Sequence, residues 1–186
     1  AVKCYAAFKE RYGKAFTHCY YSATGKGEGY KQLPRSINKA LDMGNENILQ
    51  AMLADLNDAD DTVLAGCARN GRKDIFDQVL TKEFAPEKSN ALRWCAGQSN
   101  DIYYCKKLLS LGVDVNKADT YWGERPAIEY AAENNRLEVV KYLEKFEAVI
   151  SNSAGILKSI EGNAVDTATY FLSKGSNGVS LEEMLE

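Results

Sequence analysis

Five cysteines and one histidine are the residues of this chain most suited to nucleophilic or metal chemistry, and their placement argues against both. His18 and Cys19, with Cys4, offer three donors, short of the four that close a structural zinc site. A single histidine excludes every metal site that needs two. It also excludes a Ser/His/Asp device, because His18 stands far from the body of the chain. Cys105 precedes Lys106 and Lys107, but a thiol becomes a nucleophile only beside a base or a positive partner placed against it. Cys67 and Cys95 fall in a repeated small-residue column, described below, where buried inert thiols are expected. The carboxylate pairs Asp60-Asp61 and Glu182-Glu183 read as turn or cap charges. Gly25-Lys26 lacks the upstream glycine spacing, preceding strand and following Ser/Thr of a phosphate loop. The expectation is a chain that is not an enzyme, with no cofactor and no metal. An odd, irregularly spaced set of cysteines suggests free thiols in the cytoplasm or another reducing compartment. Because the first residue is Ala, an organelle interior after removal of a targeting segment is the alternative.

The elements that would position such residues can be read from composition and period. The chain has 186 residues, 45% hydrophobic and 26% charged, the profile of one globular domain. No apolar run approaches the ~18–20 residues of a membrane span, so no transmembrane segment is expected. The formal charge of −3 argues against nucleic acid as a partner. Charge is uneven, with residues 1–35 at +5 and the remainder at −8.

A repeat runs through the acidic body. Ile37, Leu64, Leu92, Ile128 and Ile156 serve as anchors, spaced 27, 28, 36 and 28 residues apart. Three positions on stand the small residues Ala40, Cys67, Cys95, Ala131 and Ser159. One further stand Leu41, Ala68, Ala96, Ala132 and Ile160. Seven after each anchor come Gly44, Gly71, Ser99, Asn135 and Asn163, mostly residues that tolerate the left-handed conformation ending a helix. Anchor, third and fourth positions share one helical face. A second helical pattern follows each stop: Ile48, Leu49, Met52, Leu53, then Ile75, Phe76, Val79, Leu80, then Val139, Val140, Leu143, and more weakly Thr167, Ala168, Phe171, Leu172. The third segment carries one extra residue before Tyr103, Tyr104, Leu108 and Leu109. Each unit is a helix–turn–helix hairpin that can bury its apolar faces only by stacking on its neighbours.

Leu-Gly-Val-Asp-Val-Asn at 111–116, then Asp119, Gly123 and Pro126, then Ile128, Ala131-Ala132 and Leu137-Glu-Val-Val-Lys resemble the ankyrin-repeat family. The resemblance spans roughly residues 33–176 and is degenerate outside the third and fourth units. The family's histidine after the anchor is replaced by Asn38, Ala65, Arg93, Glu129 and Leu157, and most units are shorter than the usual ~33 residues. The implied fold is all-α, an α-solenoid of about five hairpins with one prominent finger over residues 112–127. The resemblance also implies a protein-interaction module or scaffold without catalysis. Its partner would contact residues just after the small pair, here Arg69, Asn70, Gln98, Glu133, Asn134 and Glu161, and the finger residues Thr120, Tyr121, Trp122 and Glu124.

Residues 1–32 form a separate basic piece with a Gly-rich link. Tyr5, Phe8, Tyr12, Phe16 and Tyr20 recur at spacings of three and four, one aromatic helical stripe. It is expected either to cap the first unit or to dock onto a larger assembly, which would make the chain a permanent structural subunit or a fragment of one. Residues 177–186 look like a terminal cap on the fifth unit or, if the chain is a fragment, the start of another helix, with Ser180 and Glu183 as a capping box and Leu181, Met184 and Leu185 as a short apolar face.

Overall fold

The computed structural model describes residues 32–118 and 125–175. Among these lie ten α-helices and no strand. They are α1 (Gln32–Asp42), α2 (Glu46–Leu53), α3 (Asp61–Arg69), α4 (Lys73–Leu80), α5 (Ala91–Gln98), α6 (Tyr103–Ser110), α7 (Ala127–Glu133), α8 (Leu137–Glu144), α9 (Asn152–Glu161) and α10 (Val165–Ser173). Among the described residues, no helix is long and apolar enough to cross a membrane.

Local chemistry sets these boundaries. The side chains of Asn45, Asp60 and Ser151 accept hydrogen bonds from Ile48 N, Val63 N and Ala154 N, at 3.2, 3.2 and 3.1 Å, and so start α2, α3 and α9. The stops are equally specific. Gly44, Gly71, Asn135 and Asn163 have φ of 63°, 68°, 57° and 53°. Each left-handed residue lets the next amide return to the small-column carbonyl, as Asn45 N to Ala40 O at 3.1 Å and Arg72 N to Cys67 O at 2.9 Å. Arg136 N to Ala131 O at 2.8 Å and Ala164 N to Ser159 O at 2.7 Å complete the set. Ser99 departs from this expectation. Its backbone is extended at φ −137° and ψ 143°, so α5 ends without the left-handed stop. The extra residue of the third segment is used here, where Asp101 N bonds Ser99 Oγ at 3.1 Å and Tyr103 N bonds Asp101 Oδ1 at 2.9 Å.

The chain divides into two compact units, residues 1–84 and 85–186. In the first, α1 packs on α2, α3 on α4, and α1 on α3. The loops after α2 and α4 meet at one parallel bridge, Asp58 with Glu83, where Ala59 N bonds Glu83 O at 2.8 Å. In the second, α5, α7 and α9 pack side by side, each backed by the helix that follows it. Side-chain amides tie the neighbouring pairs of this unit. Asn135 Oδ1 accepts from Asp166 N and Thr167 N at 3.0 and 3.2 Å, capping α10 from the neighbouring pair. Asn116 donates to Glu147 O at 3.0 Å and accepts from Val149 N at 2.8 Å.

Every anchor is buried, as are all five residues of the small column. A fully buried Leu, Ile or Phe contributes about 1.5–3 kcal/mol, so the anchors and the buried Phe76 and Phe171 carry much of the stability. Cys67, Cys95 and Cys105 are all buried free thiols. Burial pushes the Cys67 and Cys105 thiols up to about 12, so neither forms thiolate at neutral pH. Peptide mapping after native treatment with a thiol reagent should therefore find Cys67, Cys95 and Cys105 unlabelled, with all three labelled once the protein is unfolded. Rapid native labelling would show that the small column is not core.

Candidate partner-binding surface

The sequence places its candidate contact residues where the inner helices end, and the structure locates six of them. Arg69 closes α3 and pairs with Asp42 at 2.8 Å. Asn70, next in the chain, donates to the same carboxylate at 2.9 Å and to Gly66 O at 2.9 Å. Hydrogen bonds from Asn70 and Arg69 hold the Asp42 carboxyl below the usual carboxylate range. These three residues join the end of α1 to that of α3 within the 1–84 unit. In the 85–186 unit, Gln98, Glu133 and Glu161 close α5, α7 and α9, and Asn134 follows Glu133. Because these helices lie side by side, the four residues share one edge. Glu133 pairs with Arg125. Asn134 donates to Tyr130 O at 2.9 Å, and Glu161 meets Lys158 at 2.7 Å. Thr120, Tyr121, Trp122 and Glu124 lie outside the described residues, as do Tyr5, Phe8, Tyr12, Phe16 and Tyr20.

One cluster went unread in the sequence. Trp94 on α5 and Tyr130 on α7 are half-buried, with ring centroids 5.7 Å apart and planes tilted by 59°. The buried Arg93 sets its guanidinium 4.7 Å from the Trp94 ring centre and 5.5 Å from that of Tyr130. Arg125 lies 4.5 Å from the Tyr130 ring and reaches Glu129 at 3.5 Å. Burial works against the Arg125 charge, but Glu133 and Glu129 outweigh it and the guanidinium's pKa is raised. Gly97 is buried, and a Cβ there would sit 3.4 Å from Asn134 Nδ2 and 3.5 Å from Tyr130 Cβ, so α7 packs directly over this point of α5. Arg136 Nε donates to the Gly97 carbonyl at 3.2 Å, which holds α7 and α5 close at this level.

A sequence signal for the cluster exists. Trp94 and Tyr130 both stand two residues after their anchors, so stacking adjacent units brings them together. The whole column reads Lys39, Gly66, Trp94, Tyr130, Lys158, with no shared residue type to draw notice.

The cluster supplies flat aromatic surface edged by charge-assisted donors and acceptors. Guanidinium–aromatic contact of this kind contributes ~0.5–2 kcal/mol and holds the rings in fixed positions. No group of three metal-ligating side chains occurs among the described residues. A separate groove of about 470 Å³ lies against α8 and α10, lined by Ile102, Tyr142 and Tyr170. Three of its charged residues are paired: Glu144 accepts from Tyr170 at 2.5 Å and from Lys174 at 2.6 Å, and Lys141 meets Glu138 at 3.2 Å. A scan against protein-family models matches none of them, and a search among curated proteins finds no match.

Proposed function

We propose that the five helix pairs are successive repeats of one ankyrin-like α-solenoid, and that it serves as a binding module or scaffold for another protein, with no catalytic step of its own. The partner docks along the edge where α5, α7 and α9 end, with Trp94 and Tyr130 as its central anchors. The observation that carries this reading is the aromatic pair itself: two half-buried rings at the same repeat position on adjacent inner helices, held by Arg93 and Arg125. Large, rigid aromatics and arginines are the residues that dominate protein–protein binding energy, and they cluster at interface centres. Gln98, Asn134 and Glu161 then provide the polar rim around that centre.

The repeat reading draws on the buried anchors, the shared stop geometry and the side-by-side packing within each unit. The test begins with affinity capture and mass spectrometry to identify partners, followed by measurement of their affinity for variants. Trp94→Ala and Tyr130→Ala should each cost about 2 kcal/mol, roughly a thirtyfold weaker Kd, while circular dichroism stays helical. Gln98→Ala should change affinity less than threefold, as rim residues do. Full affinity in the Trp94→Ala/Tyr130→Ala double variant would remove this surface from consideration.

A further inference from the structure

Helix α8 has two contrasting faces. Val139, Val140 and Leu143 are fully buried. Glu138, Lys141, Tyr142 and Lys145 recur at spacings of three and four and form the opposite stripe. None of these four is buried. Lys145 stands one residue past the helix but keeps helical backbone, at φ −68° and ψ −16°. Phe146 follows it, 45% exposed, with its ring centroid 5.0 Å from that of Tyr142. An aromatic at both places is particular to this helix pair. The same positions, counted from the anchor, hold Ala51 and Asp55 in the first unit and Gln78 and Lys82 in the second. Near the opposite end of the stripe, Asn100 Oδ1 accepts from Glu138 N at 3.0 Å. Ile102, two residues on and 38% exposed, lines the groove together with Glu138 and Tyr142.

We propose that this face binds a second copy of the chain, with the two α8 helices antiparallel about a two-fold axis that passes between Lys141 and Tyr142. In a two-fold contact residue i meets j and j meets i. The stripe complements itself in that one register. Glu138 and Lys145 lie two turns apart, roughly 10 Å, and equally far from the axis, so each meets the other's counterpart and two ion pairs form together. Glu138 Oε1 already holds Lys141 of its own helix at 3.2 Å, and Oε2 accepts from the second copy's Lys145. Lys141 and Tyr142 flank the axis, which sets each ammonium against the second copy's Tyr142 ring, a cation–aromatic contact. The nearby Glu138 offsets the approach of the two Lys141 side chains. At the outer ends Phe146 passes the first turn of the second copy's α8 and covers its Ile102, so two exposed apolar side chains leave water at each end. The proposal is independent of the binding role, since it uses α8 and not the edge where α5, α7 and α9 end.

A contact made by one helix face belongs to the small interface class, below ~1,200 Å² in total, so the dimer should form with a Kd on the order of 10 µM. Sedimentation equilibrium of the full chain over roughly 1–500 µM, which brackets that Kd, should show a monomer–dimer equilibrium. Glu138→Lys and Lys145→Glu should each weaken the dimer about tenfold or more, because each sets like charges against one another at both ends. An equimolar mixture of these two variants should regain a Kd close to that of the unsubstituted chain, because both ends then carry unlike charges. Phe146→Ala should weaken the dimer about tenfold, with the helical circular dichroism unchanged. A chain that stays monomeric throughout this range overturns the proposal. So does a dimer indifferent to both charge reversals or to Phe146→Ala, and so does a mixture of the two charge variants that stays monomeric.

Discussion

Gly162→Ala is expected to destabilise the protein by about 3 kcal/mol, the upper end of overpacking costs, and to lower Tm by roughly 6–12 °C. Gly162 is the residue that closes α9, with φ −88° and ψ 0°, a conformation any residue adopts. Backbone freedom is therefore not what requires glycine. Space is. A Cβ at Gly162 would land on the carbonyl oxygen of Glu133 and lie 2.6 Å from its carbonyl carbon. Both atoms belong to the backbone at the end of α7, so no side chain can rotate out of the way. The substitution must push α9 away from α7 and open the contact that buries Ala132 and Ile156. Gly71 gives the contrasting control. It has φ 68°, and nothing lies within 4 Å of an added Cβ. Asparagine fills the equivalent places at Asn135 and Asn163 with left-handed φ. Gly71→Asn should accordingly cost under ~1 kcal/mol, while Gly162→Asn costs as much as Gly162→Ala. Equal losses at the two sites, measured by denaturant unfolding, would show that conformation and not helix contact governs Gly162.

The contrast also marks what the sequence could disclose. Helix positions were legible because anchors and small residues recur with a fixed period, and burial enforces that period on size and polarity together. Gly44, Gly71, Asn135 and Asn163 were legible as stops because few residue types tolerate positive φ. Ser99 broke the column, and the structure shows why: α5 ends on extended backbone there, with the local Ser99 and Asp101 bonds in place of the left-handed turn. The partner-facing cluster was less visible. Trp94 and Tyr130 are ordinary aromatics in separate helices until the stacking of α5 on α7 sets their rings together. The polar ties are less visible still. Asn135 reaching α10, or Asn116 bridging to Glu147 and Val149, has no periodic signature, because one well-placed amide suffices and its partners are backbone atoms more than 30 residues away. The role of Gly162 is of the same kind. A glycine after a helix reads as a stop, and only the approach of α7 makes it a contact.

Gly155→Ala tests the core at the other end of α9 and turns on two opposed magnitudes. In an exposed helix interior, replacing Gly by Ala gains up to ~1 kcal/mol of helix propensity. Here the added Cβ would stand 2.7 Å from three ring carbons of Phe171, a side chain fully buried on α10. The ring packs directly over Gly155 and touches Tyr170 edge-on, with centroids 5.5 Å apart, so it has little room to yield. Overpacking of this type costs ~1–3 kcal/mol, occasionally more. The steric loss exceeds the propensity gain, and the expected net effect is a destabilisation of about 2 kcal/mol. Phe171→Leu alone removes buried surface and leaves a partial cavity, also a loss of about 1–2 kcal/mol. Together the two changes should compensate, because the alanine methyl enters the space the ring vacates while the propensity gain is kept. A double-mutant cycle should therefore show favourable coupling of about 1 kcal/mol or more between Gly155→Ala and Phe171→Leu. Additive losses in that cycle would mean that the ring does not rest on Gly155, and that the glycine is held by some other constraint within the first turns of α9.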